Sequence, residues 1–544
     1  MKVSDAIAAV LKKEGVDTMI GYPVNHIIEA GARIDIRTVI VRQERTGLHM
    51  ADAMSRMTSG DKIGVFCMQH GPGAENAFGG VAQAWGESVP ILVMPQGYAQ
   101  NNAYVKPNFN STLNFQHVTK SVEPLVSPAE VPNVMRRAFT MLRNGRGGPV
   151  MVEVPSDLMN KDFPGELNYT PVKKHRAAPD PRDVDRVAAK LVAAKKPVIF
   201  AGQGVHWAKA WKPLKQLAEM LAAPVTSSLA GKSAISESHP LSLGTANKSH
   251  TLMVARFIKE ADLVFGIGCS FTSTNFGVKF PAGKTYIHGT LDPNDLNKNL
   301  VCDDAMVGDA GLMLEMLCEA VSERLKGKAR DSAAVAAEIV RQRAEWMGEW
   351  QRKIGSNETP LCPYRVLWDL HNTVDRKNTI ITHDAGSPRD QIVPFWQAED
   401  PLSYIGWGKT TQLGYGLGLA MGAKLARPDQ LCINVWGDAA IGFTGMDFET
   451  AVRERIPILS ILLNNFCMAI ELKVLPVGTE KFRNTDISGD YAAMARAFGG
   501  HGERVTAPSD IIPAIKRGIE ATKNGQAALL EFITSKETAE SNHM

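Results

Sequence analysis

Short β-branched runs alternate with helical stretches from one end of the chain to the other, and this alternation constrains the fold more than anything else. It reads as an α/β protein whose parallel sheets are flanked by helices. In the first third, Arg37–Val41, Lys62–Cys67, Pro90–Met94 and Pro149–Val154 have the composition of buried strands. A polar, proline-containing stretch from Phe163 to Arg182 then interrupts the pattern and reads as a linker. A second unit opens on the strand PVIFAGQGV and continues through Ala261–Gly268. A charged helical stretch, Asp331–Lys353, leads to a third, with strands at Asn378–Thr382, Leu431–Trp436 and Ile458–Leu463. Domains spanning 1–165, 183–330 and 360–535 are the simplest partition of 544 residues. No solenoid-period repeat or low-complexity tract is visible.

Several classes of protein are disfavoured at once. Sixty Lys and Arg stand against 57 Asp and Glu, a net charge of +3, without the basic footprint of a nucleic-acid binder. No apolar run reaches the ~18 residues that suggest a membrane span. The opening MKVSDAIAAVLKKEGVDTM lacks a long apolar core and a small-residue cleavage site, so no secretory leader is expected. Seven scattered cysteines, never in CxxC spacing, argue against a disulfide framework or structural zinc and for a reducing compartment. The expected location is the cytoplasm.

The stretch LCINVWGDAAIGFTGMDFETAVRERIPILSILLNNFCMAIE carries the clearest chemistry. One strand ends at Gly437-Asp438, a helix is expected around Met446–Arg455, and a second strand ends at Asn464-Asn465. A right-handed crossover puts both strand ends on one sheet edge, where open α/β sheets bind ligands. Asp438 and Asn465 are thus expected as neighbours. A carboxylate, an amide oxygen and a backbone carbonyl make a hard-oxygen site that suits Mg²⁺ when phosphate oxygens complete its shell. The small residues Gly437, Ala439 and Ala440 allow close approach of an anion to the backbone. Taken alone, Asp438 reads better as a helix cap; the NN pair after an apolar strand favours the metal.

GDA, 24 residues, then NN resembles the diphosphate-magnesium motif of the thiamine-diphosphate-dependent decarboxylase and acetolactate synthase family, usually GDG. The resemblance implies that Asp438, Asn465 and the Cys467 carbonyl hold the metal. It places Gly437, Ala439, Ala440 and Met468 beside the cofactor and nominates Gly386 and Ser387, in HDAGSPRDQ, as a second diphosphate loop. VRQERTGLHMADAMSR resembles the family's glutamate-plus-small-residue helix, which makes Glu44 the carboxyl that bonds the aminopyrimidine ring. A low-dielectric pocket would raise its pKa and help it hold a proton. The middle of the chain resembles the family's central domain. Where acetolactate synthases hold FAD through an RFDDR-like segment, this chain reads GIGCSFTSTNFG, which argues against flavin; ADP or the nucleotide end of coenzyme A is one alternative, and a crevice that holds no nucleotide is the other. GxG at Gly202–Gly204 is by itself weak evidence. The resemblance therefore implies three domains: pyrimidine-binding, central nucleotide-binding-like and diphosphate-binding.

Glu471, six residues after Asn465, has the spacing of the active-site glutamate of pyruvate and indolepyruvate decarboxylases and is the first choice for proton transfer. Asn25 and His26 in GYPVNHII, and Gln69 and His70 in MQHGPGAEN, occupy loops that the family brings to the reacting centre. His26 aligns with the loop histidine of benzaldehyde lyase. Leu413 matches the bulky residue that bends the cofactor. The leading expectation is an enzyme using thiamine diphosphate and Mg²⁺ to break or form a carbon–carbon bond next to a carbonyl, as a 2-oxo acid decarboxylase or carboligase of the acetolactate synthase-like group. A lyase acting on 2-hydroxyacyl-CoA or 2-hydroxy ketones is the second, and an inactive nucleotide-binding scaffold the third. In relatives the cofactor lies between domains of two subunits, which implies a homodimer or homotetramer with small-molecule substrates as its only other partners.

Overall fold

The computed structural model describes residues 1–544. Three six-stranded, wholly parallel sheets succeed one another along the chain. The first contains β1 (Thr18–Gly21), β2 (Arg37–Ile40), β3 (Gly64–Met68), β4 (Ile91–Gly97), β5 (Ser121–Pro124) and β6 (Val150–Pro155), in the order 2-1-3-4-6-5. The second contains β7 (Pro197–Ala201), β8 (Val225–Ser227), β9 (Ser242–Thr245), β10 (Leu263–Ile267), β11 (Thr285–Thr290) and β12 (Asp304–Val307), in the order 12-11-10-7-8-9. The third contains β13 (Thr379–His383), β14 (Tyr404–Ile405), β15 (Leu431–Gly437), β16 (Leu459–Asn464), β17 (His501–Val505) and β18 (Ala528–Ile533), in the order 14-13-15-16-18-17. The first and third sheets thus share one topology. The central sheet is doubly wound, and its strand order reverses between β7 and β10, where such sheets form a ligand crevice.

The first and third domains are joined by a common core. Helix Glu44–Met57 packs along helix Tyr415–Ala426, and one cluster of 43 buried residues runs through both domains. The contact is close because the second helix presents glycines: a Cβ on Gly418 would lie 2.4 Å from His49 Cβ, and one on Gly422 would lie 2.2 Å from the Met50 carbonyl oxygen. Between them a buried polar group is fully committed. Arg56 pairs with Asp52 at 2.6 Å and donates to the Gly406 carbonyl at 3.0 Å, while the Tyr415 hydroxyl donates to Asp52.

The central strands of each sheet are largely apolar and buried along most of their length; most of the strands that the sequence does not announce are short or lie at sheet edges, such as β5, β9, β14 and β17. The helix expected around Met446–Arg455 is present as Phe448–Arg453, and a further helix, Asp438–Thr444, precedes it unannounced. DAAIGFT has no amphipathic period to reveal it; tertiary contacts fix it, including the Thr444 hydroxyl donating to the Gly414 carbonyl at 2.8 Å. No helix is long and apolar enough to cross a membrane.

Candidate active site

β15 delivers Asp438 and β16 delivers Asn465 to the same edge of the third sheet. Asp438 does not serve as an ordinary helix cap. Its Oδ1 accepts from the Ala439 amide at 2.9 Å, and its Oδ2 from the Asn465 and Cys467 amides at 3.2 and 3.1 Å. Burial raises its pKa above the usual carboxylate range, and only backbone amides oppose that shift. No cationic side chain pairs with it. Beside it, Asn465 Oδ1 is buried with no hydrogen-bond partner. A buried carboxylate lacking a counter-charge, next to an orphaned amide oxygen, is the donor set that a hard divalent cation satisfies. Nowhere in the chain do three His, Cys, Asp or Glu side chains form a metal cluster, so the fit rests on mixed side-chain and backbone oxygens.

The neighbouring loops complete this edge. Gly386 has φ +84° and precedes helix Ser387–Ile392. A Cβ on Gly386 would sit 3.8 Å from Ile470, and one on Gly437 3.6 Å from Pro388, so these segments share one hollow. Ser387, Ile470 and Lys473 line a cavity of about 160 Å³ closed by tail residues Glu537 to Glu540. The tail is strapped down: Ser541 Oγ donates to the His250 carbonyl at 2.7 Å and accepts from Trp346 Nε1 at 2.8 Å. Met468 begins the short helix Ala469–Lys473, and Glu471 stands exposed on it. Ala440 is buried in the helix starting at Asp438, and Ala439 is partly open.

The sequence reading did not single out Asp384. Its fully buried carboxylate accepts from the amides of Ala385, Gly414 and Gly416 at 2.8, 2.9 and 2.9 Å, and burial pushes its pKa up to about 6. It thereby ties the loop before Gly386 to the turn that carries Leu413, which packs partly buried against the shared core. The HDAG tetrapeptide contains it, but only the fold brings Gly414 and Gly416 to it.

In the first domain Glu44 opens its helix and is 5% exposed. Burial raises its pKa, and neighbouring Asp447 adds to the effect. A Cβ on Gly73 would lie 3.4 Å from Glu44 Oε1 and 3.0 Å from Gln69 Cγ, so these residues surround one notch. His70 lies against the Tyr98 ring, centroids 4.5 Å apart, and its Nδ1 is buried without a partner. Tyr98 has no local sequence signal; it is reached through the β3–β4 pairing.

Two expected contributors are already committed. Asn25 donates to the Met68 and Met94 carbonyls, both at 3.0 Å, and accepts from the Ile27 amide at 3.0 Å, so its side chain fastens the loop to β3 and β4 instead of facing a ligand. His26 is held by Gln96 at 2.9 Å through Nδ1 and by Asn160 at 3.2 Å through Nε2. The glycines of GxG are also explained by packing. A Cβ on Gly202 would lie 2.3 Å from the Gly268 carbonyl oxygen, and the Gly204 amide donates to that oxygen at 2.7 Å, so neither serves as a free phosphate cradle.

Residues 1–117 match the N-terminal TPP binding domain of thiamine pyrophosphate enzymes, residues 184–317 their central domain, and residues 384–532 their C-terminal TPP binding domain. Along its length the chain is similar to a probable acetolactate synthase large subunit of Methanocaldococcus jannaschii, at 29% identity over 98% of this chain and 92% of that protein. It is 26% identical to acetolactate synthase isozyme 3 large subunit of Escherichia coli, over 97% and 94% of the two chains. The fold also matches the crystal structure of benzoylformate decarboxylase from Polynucleobacter necessarius, with a TM-score of 0.84 at 21% identity over 99% and 100% of the chains.

Proposed function

Because the chain belongs to the thiamine pyrophosphate enzymes and carries all three of their domains, we propose that it uses thiamine diphosphate and Mg²⁺ to decarboxylate or ligate 2-oxo acids, as enzymes of the acetolactate synthase-like group do. The observation that carries this reading is the orphaned Asn465 Oδ1 beside the uncompensated Asp438 carboxylate. When bound, the cofactor supplies a nucleophilic carbon and an electron sink next to the substrate carbonyl. Asp438, Asn465 and the Cys467 carbonyl hold the metal, and the Gly386–Ser387 and Gly437 turns receive the diphosphate. Glu44, buried and with its pKa raised by that burial, would hydrogen-bond the aminopyrimidine nitrogen. Leu413 would pack against the bound cofactor. Glu471, exposed at the mouth, moves protons to and from the substrate, while Gln69 and His70 approach from the first domain. Asn25 and His26 hold the loop that shapes this wall.

A homodimer, or a dimer of dimers, completes each site. Exposed apolar residues flank the metal motif (Val474, Val477 and Phe482) and also mark the first domain (Val24, Tyr104 and Val105), as expected of faces that meet a second copy. A second reading, a lyase on 2-hydroxyacyl-CoA, draws on a cavity of about 420 Å³ between the domains that could take the nucleotide of ADP or coenzyme A. Incubating the loaded enzyme with a panel of 2-oxo acids and 2-hydroxyacyl-CoAs, and measuring CO₂ and aldehyde, separates the two. CO₂ from a 2-oxo acid, abolished in Glu44→Gln, supports the first; aldehyde without CO₂ supports the second. No turnover of either class by cofactor-saturated protein refutes both.

A further inference from the structure

The 420 Å³ cavity lies where all three domains meet, at the strand-order reversal of the central sheet. Its wall is rich in unanswered donors. Asn247 is 2% exposed and its Nδ2 has no partner; Gln203 Nε2 and Trp207 Nε1 are also buried and unpaired. Most of its cations are spent, and Lys279, which has no partner, is exposed to solvent. Arg143 pairs with Glu14 at 2.9 Å, Arg146 with Asp295, and Lys174 donates to the Trp207 carbonyl at 3.0 Å. The acids are answered as well: Asp295 also binds Lys298 at 2.7 Å, Asp309 binds Arg176 at 3.0 Å, and Asp292 lies 3.8 Å from Arg146. Lys409, from the third domain, has neither an ion pair nor a side-chain hydrogen bond. Burial, with Arg146 nearby, pushes its pKa down to about 8, a strain that a bound anion would relieve.

The backbone under Lys409 is pinned. Glu87 Oε1 accepts from the Gly408 and Lys409 amides at 3.0 and 2.7 Å, and Arg56 donates to the Gly406 carbonyl. Gln412, three residues on, donates to the Gly79 carbonyl at 2.8 Å and accepts from Arg45. Leu413 follows, and then Gly414, whose amide is held by Asp384. One short loop therefore runs from the cavity to the cofactor edge, fastened to the first domain through Arg56, Glu87, Gly79 and Arg45 and to its own domain through Asp384.

We propose that Lys409 anchors the anionic phosphate group of a nucleotide in the interdomain cavity, and that this contact is transmitted along Gly406–Gly414 to the cofactor site, so that the two ligands bind cooperatively. The proposal rests on the reading of this cavity as a nucleotide site. Calorimetry on the full-length protein, at fixed free Mg²⁺ and with thiamine diphosphate saturating, tests the anchor with ADP as probe and inorganic pyrophosphate as the control for phosphate alone. ADP binding weakened at least about tenfold in Lys409→Gln and retained in Lys409→Arg is the expected result. Equal ADP binding by wild type and Lys409→Gln overturns the anchor, and so does pyrophosphate binding as tightly as ADP. The thiamine diphosphate Kd, measured by tryptophan fluorescence with and without ADP, tests the coupling. It should shift about threefold or more in wild type and not in Lys409→Gln; no shift in wild type overturns the coupling. Absence of ADP binding to wild type removes the nucleotide reading itself and the proposal with it.

Discussion

Neighbouring asparagines at the end of β16 should respond to truncation with opposite signs. Asn464 is fully buried and fully used: Nδ2 donates to Glu531 at 2.7 Å and Oδ1 accepts from the Phe466 amide at 3.0 Å. Asn464→Ala removes a bond to a charged group and orphans an amide, at a cost of about 2–4 kcal/mol in the cofactor-free protein. Asn465 Oδ1 already lacks a partner, a burial penalty of about 1–3 kcal/mol that Asn465→Ala abolishes. Its cofactor-free stability should therefore hold or rise by about 1 kcal/mol, while Mg²⁺ affinity falls at least about 10–100-fold. Scanning fluorimetry without ligands, then with thiamine diphosphate across a Mg²⁺ titration, reads both effects, because a ligand raises the transition by its own binding free energy. If Asn465→Ala destabilises the empty protein as much as Asn464→Ala and leaves the Mg²⁺ response unchanged, Asn465 is a structural residue and the metal assignment is wrong.

Asp384 should make the protein gain stability on acidification. Its folded pKa of about 6 exceeds the unfolded value of 3.8, so the folded state binds the proton first. Protonation then contributes about 3 kcal/mol in full below the unfolded pKa, lost as pH rises through the folded one. Between about pH 7.5 and about pH 4.5 the difference in urea stability between wild type and Asp384→Asn should change by about 2 kcal/mol; a pH-independent difference would contradict the assignment. The paired variant Val474→Asp/Phe482→Asp should sediment as a monomer and lose thiamine diphosphate binding, and a cofactor-loaded monomer would show that one chain suffices. Glu44→Gln should bind the cofactor while losing at least about 100-fold in turnover, measured as CO₂ release.

The alternation of strand and helix was legible from composition because the central strands are apolar on both faces, as in Val65–Met68 and Leu459–Leu463. Short edge strands such as Tyr404–Ile405 were not, since two residues carry no pattern. The proximity of Asp438 and Asn465 could be argued from the crossover rule. The helix starting at Asp438 could not, for its small residues have no period. Long-range partners were the blind spot. Nothing near Asn25 or His26 announces that Met68, Met94, Gln96 and Asn160 occupy their polar atoms, and nothing near Lys409 announces Glu87. Gly202 and Gly204 show the converse: a pattern that suggests phosphate serves here to let two backbones touch.

The glycine-lined contact between helices Glu44–Met57 and Tyr415–Ala426 also governs how this chain can be dissected. Each helix would strand a bare apolar groove, and the Asp52–Arg56–Tyr415 group would be torn in two, if the outer domains were produced as separate polypeptides. Fragments cut at the two connectors should precipitate singly and become soluble only when co-expressed, and genetic exchange among related enzymes should move these outer domains together while the middle one is swapped alone.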